Sequence, residues 1–113
     1  MNRLDILKNL VYFEKPLQEL ICDLSALDWD YHGEPYIVYS GAVATVIERY
    51  LDENISAEEL EEWANLLECR EDLEFEEAKQ EVLSCIIYDL ANPTLQGDIT
   101  YNGCKDKLIH LKE

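Results

Sequence analysis

The sequence lacks the motifs that usually mark a metal site or an enzyme. Its four cysteines form no C-x-x-C pair and its two histidines lie far from paired thiols, so a zinc site is not predicted. Neither histidine follows a carboxylate by three positions, which excludes the Glu-x-x-His pattern of a di-iron bundle. The four glycines are scattered, so no glycine-rich phosphate loop is present. We therefore predict no catalytic residues, no metal and no cofactor, and interpret the protein as a non-enzyme.

Long apolar runs are also missing. The longest stretch without a charged residue, 35–47, has thirteen residues, too few to cross a bilayer of about 30 Å as a helix. The N-terminal residues Met-Asn-Arg-Leu-Asp do not begin a signal peptide. Together with the unpaired cysteine spacing, this predicts reduced thiols and a cytoplasmic location.

Basic residues are scarce. The 113 residues include 9 Lys and Arg against 25 Asp and Glu, giving a formal net charge of −16 and a pI near 4.3. Such a charge repels nucleic acids and anionic membranes, so neither is predicted as a partner. The complementary partner is a basic protein, although a need for solubility would also account for the acidity.

The acidity is concentrated in residues 52–81. This stretch holds thirteen carboxylates against Arg70 and Lys79, a net charge of −11. Within it, Ser56 and Glu59 have the spacing of a capping box, in which each side chain accepts a hydrogen bond from the other residue's backbone N–H. A helix is therefore predicted to begin at this point.

The predicted acidic helix has one apolar face and one charged face. From Leu60 onwards, apolar residues recur at i, i+3, i+4 and i+7 up to about Arg70, and Trp63 belongs to this buried face. Carboxylates on the helix and just after it are predicted to meet solvent and to bind the partner. These are Glu58, Glu61, Glu62, Glu68, Glu71, Asp72 and Glu74.

The same periodicity predicts the rest of the chain as helices. We expect one all-α domain, 1–113, a bundle of five or six amphipathic helices. Residues 36–39 are strand-like, but no second convincing strand exists to pair with them, so they are expected to lead into a helix. Residues 94–98 are predicted to form a loop. The other predicted helices are 4–14, 16–26, 40–52, one from Phe75 to Asn92 with Ala78, Val82, Cys85, Ile86 and Leu90 as its apolar stripe, and a short one capped by Thr100.

A predicted loop follows the second helix. Asp28, Asp30 and Gly33 match the first, third and sixth positions of a calcium loop, but His32 and Tyr39 occupy the fifth and twelfth, so calcium is not predicted. Four aromatic residues here either pack on the edge of the core, the favoured interpretation, or form an exposed recognition patch. They are Trp29, Tyr31, Tyr36 and Tyr39.

Two stretches of the sequence resemble a known family. They are ISAEELEEWANLLECREDLEF (55–75) and the pair LANP (90–93) and GDIT (97–100). The combination, which covers about the second half of the chain, is similar to bacterial immunity proteins, in particular those that accompany toxins of contact-dependent growth inhibition. The resemblance implies a cytoplasmic protein without cofactor or turnover that binds and blocks the C-terminal domain of a toxin, commonly a nuclease.

Two other function classes stay open at this stage. A small acidic regulatory adaptor that binds a basic cellular protein would need the same charged helical surface. An enzyme would instead be indicated by a buried pair of carboxylates in a deep pocket.

Overall fold

The computed structural model describes residues 3–27, 34–68, 70 and 72–112, excluding the side chain of Gln96. Helices dominate this part of the chain, which confirms the predicted all-α class. The helices are α1 (Arg3–Val11), α2 (Leu17–Ser25), α3 (Ser40–Leu51), α4 (Ala57–Glu68), α5 (Gln80–Ala91), α6 (Pro93–Gln96) and α7 (Tyr101–Lys112). Two short strands, β1 (Tyr36–Val38) and β2 (Leu73–Phe75), and a 3-10 turn, Glu77–Lys79, complete the described elements.

The core lies where the apolar faces of the helices meet. Helix α4 packs most extensively against α5, α7 packs mainly against α3, and α1 contacts both α2 and α4. Among the described residues, the largest fully buried side chain is that of Trp63 on α4, which belongs to a core cluster composed mainly of leucine, isoleucine and valine. The amphipathic patterns of α1, α2, α3 and α4 therefore predicted these elements to within a few residues of their observed ends.

The two strands correct one prediction. Residues 36–38 form a parallel pair with residues 73–75, whereas the sequence had suggested no partner strand. The N–H of Tyr36 donates to the carbonyl of Asp72 at 2.8 Å, and the N–H of Glu76 donates to the carbonyl of Val38 at 3.0 Å. Each strand is three residues long, too short for a diagnostic alternation, and the partners lie far apart in sequence. Only tertiary packing brings them together.

Helix α5 begins later than predicted, and its buried face is different. Residues 73–75 are taken up by β2, so the helix starts at Gln80 instead of Phe75. Ile86 and Leu90 are buried as expected, but Ala78 and Cys85 are exposed. The buried residues of α5 are Leu83, Ile86, Ile87, Leu90 and Ala91. Helix α6 likewise replaces most of the loop predicted over 94–98.

Some predictions fall outside the described residues. These include the calcium-like loop, Trp29, Tyr31 and Cys69. Of the other two aromatics, Tyr36 is half-buried against the core, whereas Tyr39 is 57% exposed. The three described cysteines are free thiols: Cys22 and Cys85 are exposed, and Cys104 is buried.

Candidate protein-binding surface

The start of α4 is fixed by the predicted capping box. The N–H of Glu59 donates to Ser56 Oγ at 3.1 Å, and the N–H of Ser56 donates to Glu59 Oε1 at 2.9 Å. Ile55 and Leu60, the apolar residues on either side of this box, are both buried. The reciprocal bonds satisfy backbone groups that a helix start leaves open, so α4 begins at a defined residue.

Trp63 fixes the rotation of α4 about its axis. The side chain is fully buried, and its Nε1–H donates to the carbonyl of Leu10 on α1 at 2.8 Å. A buried indole N–H without an acceptor would be costly, so this bond stabilises one orientation of the ring. Since Leu60, Ala64 and Leu67 are buried with it, the opposite side of α4 must face solvent.

Four carboxylates on α4 lie on this outer side, and we call them the α4 acidic face: Glu58, Glu61, Glu62 and Glu68. Glu61 is half-buried and the other three are exposed. Asn92 Nδ2 lies 3.4 Å from Glu68 Oε2 and donates to it, which links the end of α4 to the segment after α5. Of the remaining predicted residues, Glu74 is exposed on β2 and Glu71 lies outside the described residues.

A shallow depression adjoins the beginning of this face. Glu58 and Glu61 line it together with Asp98, and Pro93 and Ile99 supply an apolar base. Carboxylates around an apolar surface suit a Lys or Arg side chain, whose aliphatic stem packs while its charged head is paired. Asp98 was not predicted, because it comes from a loop forty positions beyond Glu58 and no spacing rule connects the two.

Asp72 requires a correction. It was predicted to face the partner, but only 2% of its side chain is exposed. Arg70 Nε donates to Asp72 Oδ1 at 2.8 Å, Arg70 Nη2 donates to Oδ2 at 2.8 Å, and Arg3 Nη1 on α1 also donates to Oδ2. Asp72 is therefore an internal ion-pair partner that joins α1 to the segment between α4 and β2.

The environment of Asp72 favours its charged form. Burial alone would raise the pKa of the carboxyl, but the hydrogen bonds and positive charge of Arg70, with the hydrogen bond from Arg3, outweigh it and lower the pKa below 3.8. Arg70 thus forms an ion pair with the acid two positions after it in the sequence.

Glu76 is a second carboxylate with an internal role. Its Oε2 accepts a hydrogen bond from the backbone N–H of Ser40, the first residue of α3, at 2.7 Å. Tyr39 precedes α3 and makes no side-chain capping bond, so Glu76 supplies the missing acceptor from a distant part of the chain. A negative charge at this helix start is also favoured by the helix dipole.

The described ranges lack the features that would indicate a metal site, a carboxylate-based active site or a membrane span. Within them, no three His, Cys, Asp or Glu side chains are grouped so as to hold a metal ion. Asp72 is the buried carboxylate found there, and its neighbours are arginines, so this part of the chain contains no buried carboxylate pair. None of the described helices is long and apolar enough to cross a membrane.

Helix α4 is thus anchored on one side by Trp63 and is acidic on the other side. Comparisons with protein-family models, with curated proteins and with solved structures find no match.

Proposed function

We propose that the protein is a cytoplasmic immunity protein that binds and neutralises a basic toxin domain, commonly a nuclease, through the α4 acidic face. The observation that carries the proposal is the arrangement of charge on α4. The helix is held by its buried side, so that Glu58, Glu61 and Glu62 are presented together on the other. The sequence resemblance to immunity proteins covers the same helix.

The three arginines of the chain support the proposal because they bind other groups. Arg3 and Arg70 pair with Asp72, and Arg49 donates to the carbonyl of Phe13 at 2.5 Å. In the described part of the chain, no ion pair involves Glu58, Glu61 or Glu62. The α4 acidic face therefore keeps its negative charge available for a partner.

A nuclease active site binds phosphate with basic side chains, so an acidic protein surface competes for the same charges. Long-range attraction would raise the association rate toward about 10⁸ M⁻¹s⁻¹ at low salt, against about 10⁵ to 10⁶ for an uncharged pair. Added salt would slow association, since exposed charges act over only about 8 Å at physiological ionic strength. At the depression, a Lys or Arg side chain of the toxin would bind the carboxylates of Glu58, Glu61 and Asp98.

The test uses the C-terminal domain of the protein encoded directly upstream as the candidate toxin. We expect it to co-purify with this chain, and the association rate, measured by stopped-flow fluorescence, to fall as salt increases. The double reversal Glu61→Lys and Glu62→Lys should lower the rate and leave far-UV circular dichroism unchanged. Glu14→Lys with Glu19→Lys is the matched control, because it makes the same charge change at exposed positions near α1 and on α2.

The outcomes separate mechanism from function. An association rate that changes neither with salt concentration nor in the α4 reversal variant would contradict the electrostatic mechanism. A candidate toxin that neither binds nor is inhibited would contradict the immunity function. Capture of a basic cellular protein through the same face, with no toxin gene upstream, would instead support the regulatory adaptor.

A further inference from the structure

A groove between α5 and α7 is not used by the proposed function. Helix α7 packs mainly against α3 and less extensively against α5. This packing leaves a channel between α5 and α7. We define this α5–α7 groove by six of the residues that line it: Glu81, Val82, Cys85, Ile86, Asp89 and Asp106.

The groove is formed by one regular face of each helix. Val82, Cys85, Ile86 and Asp89 recur on α5 at i, i+3, i+4 and i+7. Gly103, Asp106, Lys107 and His110 recur on α7 with the same spacing. Residues with this spacing share a side of a helix, so the groove runs along about two turns of each helix.

The α5 side of the groove is apolar and incompletely covered. Helix α5 has two apolar faces, and the one containing Leu83, Ile87 and Leu90 is buried. The other face contains Val82, which is half-buried, and Cys85, which is exposed; Ile86 lies at 5% exposure. Val82, Cys85 and Ile86 on this second face belong to the stripe that the sequence predicted as core, but only Ile86 is buried. The apolar character of Val82 and Cys85 is therefore explained neither by full burial nor by the α4 acidic face.

The rim of the groove is acidic. Glu81 and Asp89 from α5 and Asp106 from α7 carry three negative charges, against one positive charge on Lys107. His110 also lines the groove. An apolar base between acidic edges is complementary to a helix with apolar side chains on one face and Lys or Arg at the borders of that face.

We propose that the α5–α7 groove is a docking site for a basic amphipathic helix of another protein. The apolar side chains of that helix would cover Val82 and Cys85, and its basic residues would pair with Asp89 and Asp106. The site is separate from the α4 acidic face and does not depend on the immunity function.

The test uses a synthetic peptide, so no natural partner is needed. The probe is a fifteen-residue amphipathic helix with leucines on one face and lysines on the other. A scrambled peptide of the same composition, without the apolar face, is the control ligand. Binding is followed by the rate at which N-ethylmaleimide modifies each thiol, resolved by peptide mass spectrometry, because Cys85 lies in the groove while exposed Cys22 on α2 serves as an internal control.

At a free peptide concentration about ten times its Kd, we expect modification of Cys85 to slow by about tenfold while Cys22 is unaffected. The scrambled peptide should not protect Cys85. The double reversal Asp89→Lys and Asp106→Lys should weaken binding of the amphipathic peptide more than Glu61→Lys with Glu62→Lys, which makes the same charge change on α4.

Three results would overturn the proposal: no protection of Cys85, equal protection by the scrambled peptide, or equal weakening by the two double reversals. The last would mean that the peptide responds only to net charge. The thiol measurement on the unaltered protein decides the matter even if a reversal variant fails to fold. Because no toxin is involved, each of these results leaves the immunity proposal unchanged.

Discussion

Two sets of carboxylates within residues 52–81 have different tasks. Glu59, Asp72 and Glu76 bind groups of the protein itself: a helix start, two arginines and the first N–H of α3. The four residues of the α4 acidic face are held on the outer side of their helix. The sequence presents both sets as one acidic stretch, so its net charge is not a measure of the charge that a partner meets.

We call Glu59, Asp72 and Glu76 the internal set and the α4 acidic face the outer set. The internal set is identified by the groups that it binds more than by its exposure. Asp72 is buried, whereas Glu59 and Glu76 are only half-buried and have fixed hydrogen bonds. Changing an internal carboxylate removes a native interaction, whereas changing an outer one alters a surface charge. The four predictions that follow use this difference, beginning with the residue that fixes which side of α4 is outer.

Trp63→Ala should have the largest effect on stability. It removes a fully buried indole and the hydrogen bond that the indole donates to the carbonyl of Leu10. We expect the free energy of unfolding to fall by about 3 to 5 kcal/mol, measured by urea denaturation. Trp63→Phe should lose less, since most of the ring volume is kept. A loss below about 1 kcal/mol in the alanine variant would mean that Trp63 does not anchor α4.

Asp72→Asn should have the second-largest effect on stability. Its comparison with a substitution on the α4 acidic face tests the difference between the two sets. It leaves Arg3 and Arg70 without their carboxylate, which in buried pairs costs about 3 to 5 kcal/mol. Because the two arginine side chains are 20% and 19% exposed, we expect the lower end, about 3 kcal/mol. The matched control Glu62→Gln should change stability by less than about 0.5 kcal/mol. Equal losses in urea denaturation would contradict the division into two sets.

The loss caused by Asp72→Asn should also depend on pH. The folded protein lowers the pKa of the Asp72 carboxyl below 3.8, so the native state binds the proton less readily than the unfolded chain. The contribution of Asp72 is therefore complete above about pH 5 and is lost as the pH falls through the lowered pKa. The stability difference between the two proteins, measured by urea denaturation at several pH values, should be constant above pH 5 and shrink below 3.8. A difference that stays constant down to pH 2.5 would contradict the ion-pair explanation.

The sequence predicted well the features that are set by local spacing. The capping box of Ser56 and Glu59 involves positions three apart, and the burial of Trp63 follows from the periodicity of one helix. Tertiary contacts did not change the position of α4 that these local signals predict.

Features that depend on distant partners were missed. Asp72 lies in the middle of the acidic stretch. No neighbouring residue in the sequence indicates that its buried carboxylate will pair with Arg3, sixty-nine positions away. The pairing of β1 with β2 is hidden for the same reason. On α5, two apolar faces compete for the core, and periodicity alone does not decide which of them packs against α4.

Ser56→Ala should have the smallest effect on stability of these substitutions. It tests the capping bonds between Ser56 and Glu59, the most exposed interaction of the internal set. The substitution removes the acceptor for the N–H of Glu59 and keeps the reverse bond to Glu59 Oε1. Losing a helix cap costs typically about 1 kcal/mol. Glu59→Ala should cost a similar amount because it removes the reverse bond, whereas Glu62→Ala on the outer side of the same helix should leave stability within about 0.5 kcal/mol. Since Glu59→Ala and Glu62→Ala change the net charge equally, relief of repulsion among the acids cannot distinguish them. Equal unfolding free energies in urea for these two variants would therefore show that the capping bond of Glu59 contributes nothing, and would move Glu59 from the internal set to the outer one.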